Sequence, residues 1–472
     1  MSETGQRLRA FEVASLLGAC AAVELMVHAA GVSFDAVPLE NAWPLLPVEV
    51  LQGRLLQGLL HLHSQPPLFN WLVGVAVQIA PSHEAAALHV LLVASGITTV
   101  LATAGLARAL GAGRFAPLAG LFVLAQPAFL LYEHHLGYEV PLAAALALAA
   151  LLLARAIARP SSLALAGFFG ATAAACLLRS LFPLPFFLLA GLLAARALGT
   201  RRTLRAAALP LCLLVAWQIK NVVLFGVASG SSWLGMNISR VTVGRLPPLE
   251  RRALVAEGKL SQASLLGGFQ PIEGYPVGFL NEPAHGWSRP GSADAPELRE
   301  PRKRSGAPNF NHEGYIAVSR ALFGDALRTV LLRPDLVASA LGTAWLISLT
   351  PSSQWGFLAQ NRRAMPRYLW LWERVLSLEV PLPVRLLGET QVFLSLLFGI
   401  PWLLWRALRS FLKGPRQSAS AAAAGFCALC IATVLVVGNT FEVGENHRFH
   451  APLAPLLAAL LLVSVAPAAL KR

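Results

Sequence analysis

Four short stretches of this chain set ionisable side chains against long apolar runs. The first carries Asp35 in FDAVPLE, with Glu40 and Glu49 close behind. The second is HLHSQPPLFNW, which holds His61, His63, Gln65 and Asn70 around two adjacent prolines. The third is YEHHLGYE, ending at Glu139, and the fourth is EVGENHRFH, which contains Glu445 and Arg448. Two isolated cations join them, Arg179 in CLLRSLFP and Lys220 in WQIKN. Each has a plain reading of its own: a loop acid for Asp35, snorkelling to headgroups for Arg179 and Lys220, and interfacial hydrogen bonding for His134 and His135. Adjacent histidines seldom chelate together, and no metal site is read here, although the use of a divalent metal stays open. Taken as a set, they suggest a chemistry. Arg and Lys can hold a phosphate, and a carboxylate can take the proton from an attacking hydroxyl.

The elements that position these groups follow from composition. Of 472 residues, 56% are hydrophobic and 13% are charged, against roughly 25% charged in a soluble domain. Mean hydropathy is +0.60. Apolar runs at about 11–32, 86–107, 115–132, 140–157, 162–180, 182–198, 204–225, 391–409, 420–438 and 452–469 are each long enough to approach the ~30 Å of a hydrocarbon core. The fold class is an all-α polytopic membrane protein with about 10–12 spanning helices. The first run has a basic start and no small-residue cleavage site, so it reads as a retained helix rather than a cleaved signal.

The net charge of +14 is distributed against nucleic acid as a partner. Basic residues sit in short gaps, at Arg7/Arg9, Arg108/Arg114, Arg155/Arg159, Arg196/Arg201/Arg202/Arg205, Arg406/Arg409/Lys413/Arg416 and Lys471/Arg472. Those gaps hold almost no acid, as expected of cytoplasmic loops. Alternating from them puts 33–85, 133–139, the 180 region, 226–390 and 439–451 on the external face. All four polar stretches then share one face. The 15 residues 66–80 begin and end outside, and with Pro-Pro at their start they read as an interfacial or re-entrant helix. The stretch 335–350 reads the same way. The segment 226–334, rich in Gly, Pro, Ser and Asn, reads as a loop-rich external cap with little regular structure. Three regions result: 1–225 with its first external loop 33–85, 226–390 as the cap with interfacial segments, and 391–472 with the last helices. The five cysteines all fall in apolar helices and read as small core residues.

A carboxylate beside cations, at the outer leaflet and under a cap, suits a lipid-linked phosphosugar. A base on the face opposite a departing phosphate gives a single displacement with inversion. Arginine-stabilised departure of the phosphate needs no general acid.

SQPPLFNWLVGVAV resembles the Pro-Pro-Leu-aromatic-x-Trp signature of membrane glycosyltransferases with the GT-C fold. The likeness is to glycosyltransferase family 39 relatives and to the rhizobial lipopolysaccharide galacturonosyltransferase-like domain. It runs from about Ser64 to Ala156, and GENHRFHAPLAPLL resembles that family's Glu-x-x-Arg-aromatic stretch before a late helix. The resemblance implies a GT-C-type helical bundle and a polyprenyl-phosphate sugar donor. It also implies a lipid, glycan or protein acceptor, and an inner (plasma) membrane location with the active site facing the periplasm or exterior. It places the catalytic base at Asp35, with Glu40 as the alternative, and an acceptor- or sugar-orienting acid at Glu139. Arg179 matches a lipid-phosphate ligand, and Arg448 is assigned the same role, with Glu445 in its motif and Lys220 as a further cation. His61, His63 and Gln65 would line the cavity. Two departures stand out: relatives often carry a second acid beside the first-loop Asp, and a Lys where this chain has Gln65. The rival reading is a transporter or flippase of a lipid-linked saccharide. That reading calls for polar groups at mid-membrane and repeated halves, and neither is visible.

Overall fold

The computed structural model describes residues 8–280, 295–384 and 388–465. Arg7, Lys471, Arg472 and the end of the last apolar run lie outside the described residues. Each of the ten apolar runs forms a helix or a bent helix pair. Among the described residues, six helices are long and apolar enough to cross a membrane, or up to eight if each of two bent pairs is one span. Ser162–Leu178 and Leu184–Leu198 are apolar but have only 17 and 15 residues, about 26 Å and 23 Å at ~1.5 Å per residue. The chain is an all-α polytopic membrane protein, apart, among the described residues, from one antiparallel hairpin pairing Glu379–Val384 with Gly388–Phe393. The hairpin was not anticipated. Prolines alternate in its first strand, EVPLPV, a spacing that a helix interior rejects and an edge strand tolerates.

The centre of the bundle is Glu139–Ala158, with 83% of its apolar window buried. Its sequence, EVPLAAALALAALLLARAIA, supplies small residues that let neighbouring backbones come close. It packs against Glu84–Ala109, Ser162–Leu178 and Ala419–Phe441. At Gly105 an added Cβ would lie 2.9 Å from the end of the Leu151 side chain, so the two helices pass closely there. Glu139 is the first residue of this helix, where the positive end of the helix dipole favours an anion. Near the far end of the neighbouring Glu84–Ala109 helix, Arg108 donates two hydrogen bonds to Glu12 of the first helix, at 2.6 and 2.8 Å.

The segment after the first helix is a chain of short helices, Pro38–Asn41, Val48–Gly53 and Leu55–His61, followed by Leu68–Ile79. At 12 residues, the last spans only about 18 Å. This agrees with the interfacial reading of 66–80. Pro334–Ser348 is bent by 108° from Gly314–Leu332, consistent with the reading of 335–350 as re-entrant or interfacial.

The cap departs from expectation. It contains the helices Leu234–Val241, Pro248–Ala256 and the 19-residue Gly314–Leu332. Tyr315, Val318, Leu322 and Ala326 recur at helical spacing along the last of these, and all are buried. Tyr315, Val318 and Leu322 join Trp233, Met236, Ile272, Tyr275 and Phe310 in an aromatic core that the cap owns. The polar composition around this core hid its periodicity.

Candidate active site

Glu139 is 2% exposed. Its Oε1 accepts a hydrogen bond from Arg448 Nε at 2.6 Å, and Arg179 Nη1 lies 3.8 Å from the same oxygen. Its Oε2 is buried without a hydrogen-bond partner. Gly137 makes room for that oxygen, since a Cβ there would sit 2.3 Å from it.

Arg448 is fully engaged. It donates to Glu139, to Glu445 at 2.8 Å and to the Tyr138 hydroxyl. Its guanidinium lies 4.1 Å from the centre of the Trp355 ring. Arg179 caps the C-terminus of Ser162–Leu178 and is held differently. It is sandwiched between Tyr138 and Phe449, 4.4 and 4.5 Å from the ring centres. Among the described residues its guanidinium makes no hydrogen bond, so its donors are available to a ligand that brings acceptors.

A second layer closes the cluster. Arg240 pairs with Glu442 at 2.5 Å, and Gly444, at φ 122°, lets the loop pass Arg240 where a Cβ would meet its Nη2 at 2.8 Å. Burial outweighs Arg240 and pushes the Glu442 carboxyl up to about 7. Burial also raises Glu445, but Arg448, Arg240 and Arg179 outweigh it and hold that carboxyl below its ordinary range.

Asp35 reaches the site by a backbone bridge. Its N–H donates to His134 O at 2.8 Å, and Leu136 N–H donates to Asp35 O at 3.1 Å. Its Oδ2 accepts from His135 Nδ1 at 2.9 Å and its Oδ1 from Val37 N–H at 3.0 Å. The His135 bond is the main reason its carboxyl is held below the usual aspartate range. The Asp35 side chain is 26% exposed and that of His135 only 4%, so Asp35 is the reachable member of the pair.

Trp355 joins the two halves. His135 meets its ring edge-on at 5.3 Å, Tyr132 stacks on it at 5.9 Å, and Arg448 lies over it. Sequence reasoning missed Trp355, Tyr138, Arg240 and Phe449. Tyr138 and Phe449 lie within stretches already singled out, but nothing around Trp355 in SSQWGF marks it.

The other expected residues lie elsewhere. His61 bonds Glu297 at 2.6 Å, and His63 bonds Ser232 at 2.8 Å and the Asn311 carbonyl at 2.9 Å. Both histidines are buried where the first loop meets the cap. Their hydrogen-bond partners come from the cap. Lys220 donates to the Leu62 carbonyl and lies 3.5 Å over the Trp217 ring, so it braces the same loop instead of joining the arginines. Gln65 is half-buried. Glu40 is exposed and faces Lys303, and its carbonyl accepts from Ser305. His134 and His135 diverge, the first toward Glu24 and the second toward Asp35.

No family description matches this chain, and no curated protein is similar to it. Among solved structures, it is similar to ArnT from Cupriavidus metallidurans bound to undecaprenyl phosphate, at 16% identity and a TM-score of 0.34, covering 94% of this chain and 77% of that one. The apo state of the same protein gives 14% identity and a TM-score of 0.30, covering 91% and 78%. Both likenesses are weak, and the reading that follows rests on this chain's own residues.

Proposed function

We propose that this chain is an integral-membrane inverting glycosyltransferase of the GT-C type, in line with the glycosyltransferase family 39 and galacturonosyltransferase-like resemblance. It moves a monosaccharide from a polyprenyl-phosphate donor to a lipid, glycan or protein acceptor, on the external face of the inner membrane. One observation carries the reading: Arg179 sits between two aromatic rings with its hydrogen-bond donors unspent. Beside it, Arg448 and Glu139 lie across Trp355 from the Asp35–His135 pair.

In this reading Arg179 takes the donor phosphate, and Arg448 adds positive charge at a fixed position. As the acceptor oxygen bonds to the anomeric carbon, Asp35 takes its proton and the carbon–phosphate oxygen bond breaks. The phosphate leaves with its electron pair and is stabilised by the arginines. His135 holds Asp35 in place, and the free Oε2 of Glu139 is placed to accept a hydrogen bond from a sugar or acceptor hydroxyl. One base on the attacking side gives inversion.

The test compares wild type with Asp35→Asn in membranes given labelled polyprenyl-phosphate sugars. The expected result is transfer by the wild type and a loss of roughly 10²–10⁴-fold in the variant. Equal transfer by both would move the base to Glu40 or Glu139. If neither transfers label, the donor class is wrong and the flippase reading returns.

A further inference from the structure

Behind the Asp35 bridge, Glu24, His89 and His134 each turn a ligand atom to a common point, and these atoms lie within 4.8 Å of one another. The three come from separate elements: the outer part of the first helix, the start of Glu84–Ala109, and the turn that follows Pro127–Glu133. None of them takes part in the reaction described above.

Several details distinguish this group from an ordinary hydrogen-bonded cluster. His134 Nδ1 faces the Leu130 carbonyl at 2.9 Å. A carbonyl only accepts, so Nδ1 carries a hydrogen, and the neutral ring has its lone pair on Nε2, the nitrogen that faces Glu24. An outer hydrogen bond of this kind typically fixes the tautomer of a metal-bound imidazole. That Nε2 lies 3.4 Å from Glu24 Oε2. Two ligands on one tetrahedral zinc, with bonds of 2.0–2.2 Å, stand about 3.3 Å apart. The Nε2 of His89 is buried without a hydrogen-bond partner. Its ring is fixed by stacking on Phe34, at 4.9 Å and 17°. Glu133, which is 3% exposed, lies behind Glu24. It fits only because residue 96 is glycine, where a Cβ would lie 1.8 Å from its Oε1. Two acids and two histidines therefore converge at a place where 25% of the Glu24 side chain is left uncovered by protein.

We propose that Glu24, His89 and His134 bind a divalent transition-metal ion, zinc by the chemistry of the set. Two imidazoles and a carboxylate make the borderline N/O donor set that zinc favours, and Glu133 supports Glu24 from the second layer. The ion's role is to position the active site. His134 lends its carbonyl to the Asp35 N–H, and Phe34, next to Asp35, rests on His89. Fixing both rings on one ion fixes residues 34 and 35 from two sides. The inference does not depend on the proposed reaction.

The experiment uses the full chain, without an affinity tag, in lipid nanodiscs. Metal content is measured by elemental analysis, followed by chelator stripping and titration with zinc and with cobalt. The expected result is one ion per chain, visible cobalt bands from a His-and-carboxylate site, and a melting temperature that falls on stripping and returns with zinc. His89→Ala and Glu24→Gln should lose the ion, while His83→Ala, at an exposed histidine nearby, should keep it. A wild type that binds no zinc at micromolar concentration would overturn the proposal and leave a proton-sharing cluster. Stoichiometric binding unchanged in His89→Ala and Glu24→Gln would overturn it as well, by placing the ion elsewhere. Should a variant fail to fold, the wild-type titration and its cobalt spectrum still decide.

Discussion

Two arginine–glutamate groups lie among the spans of this protein, and they are built differently. Glu12 and Arg108 form a closed pair. Both carboxylate oxygens accept from the guanidinium, and the Arg9 N–H completes the shell at 2.7 Å. The Glu139 group is open. Two arginines approach the same oxygen, the other oxygen has no hydrogen-bond partner, and Arg179 is held by rings instead of acceptors. Residue type and burial do not separate the two, since both glutamates are largely hidden. The separating property is the carboxylate: both Glu12 oxygens accept hydrogen bonds, while Glu139 keeps Oε2 without one beside an arginine held by rings. A buried acceptor left without a donor carries a cost that a ligand hydroxyl would relieve.

The sharpest way to break this contrast is to treat both groups alike. Arg108→Met should leave Glu12 buried and unpaired and cost about 3–5 kcal/mol of stability, read as a large drop in melting temperature in detergent. Transfer per folded molecule should stay near wild type. Arg179→Ala should do the reverse, keeping the fold while lowering transfer by roughly 10²–10³-fold, the size expected when a group that stabilises developing charge is lost.

A smaller effect sharpens the comparison through pH. The Glu442 carboxyl, raised to about 7, favours the folded state while protonated. That contribution is complete below its ordinary value near 4.5 and is lost as pH rises through about 7. Wild-type stability should therefore fall between pH 5 and 8 by on the order of 2 kcal/mol more than that of Glu442→Gln, measured by thermal unfolding across pH. The smallest effect on transfer belongs to the fastener between loop and cap. Asn311 bonds the backbone N–H groups of His63 and Ser64 and the carbonyl of His61. Asn311→Ala should cost about 1–3 kcal/mol, seen as faster proteolysis of the cap, with a change in transfer well below that of Arg179→Ala.

Much of the bundle was legible because apolar runs of spanning length leave few alternatives, and the run at 66–80 forms a helix of only 12 residues. The polar stretches around Asp35, Glu139 and Glu445–Arg448 were legible for the same reason: charged groups next to such runs need partners. HLHSQPPLFNW was visible as unusual, but its role was not. Its partners Glu297, Ser232 and Asn311 lie more than 160 residues away, and no local spacing announces a contact of that range. Trp355 was hidden likewise, because a tryptophan in a short loop looks the same whether it faces lipid or three side chains of a site. The divergence of His134 and His135 follows from a backbone bridge to Asp35, which only the fold supplies.

The central claim, that the open arginine group receives a lipid phosphate, is tested most directly by equilibrium binding of a polyprenyl phosphate in nanodiscs. Wild type, Arg179→Ala, Asp35→Asn and Arg108→Met would be compared. The account predicts one site per chain, lost in Arg179→Ala and retained in Asp35→Asn and in Arg108→Met, because neither of the latter touches the phosphate. Binding that is the same in wild type and Arg179→Ala would contradict it.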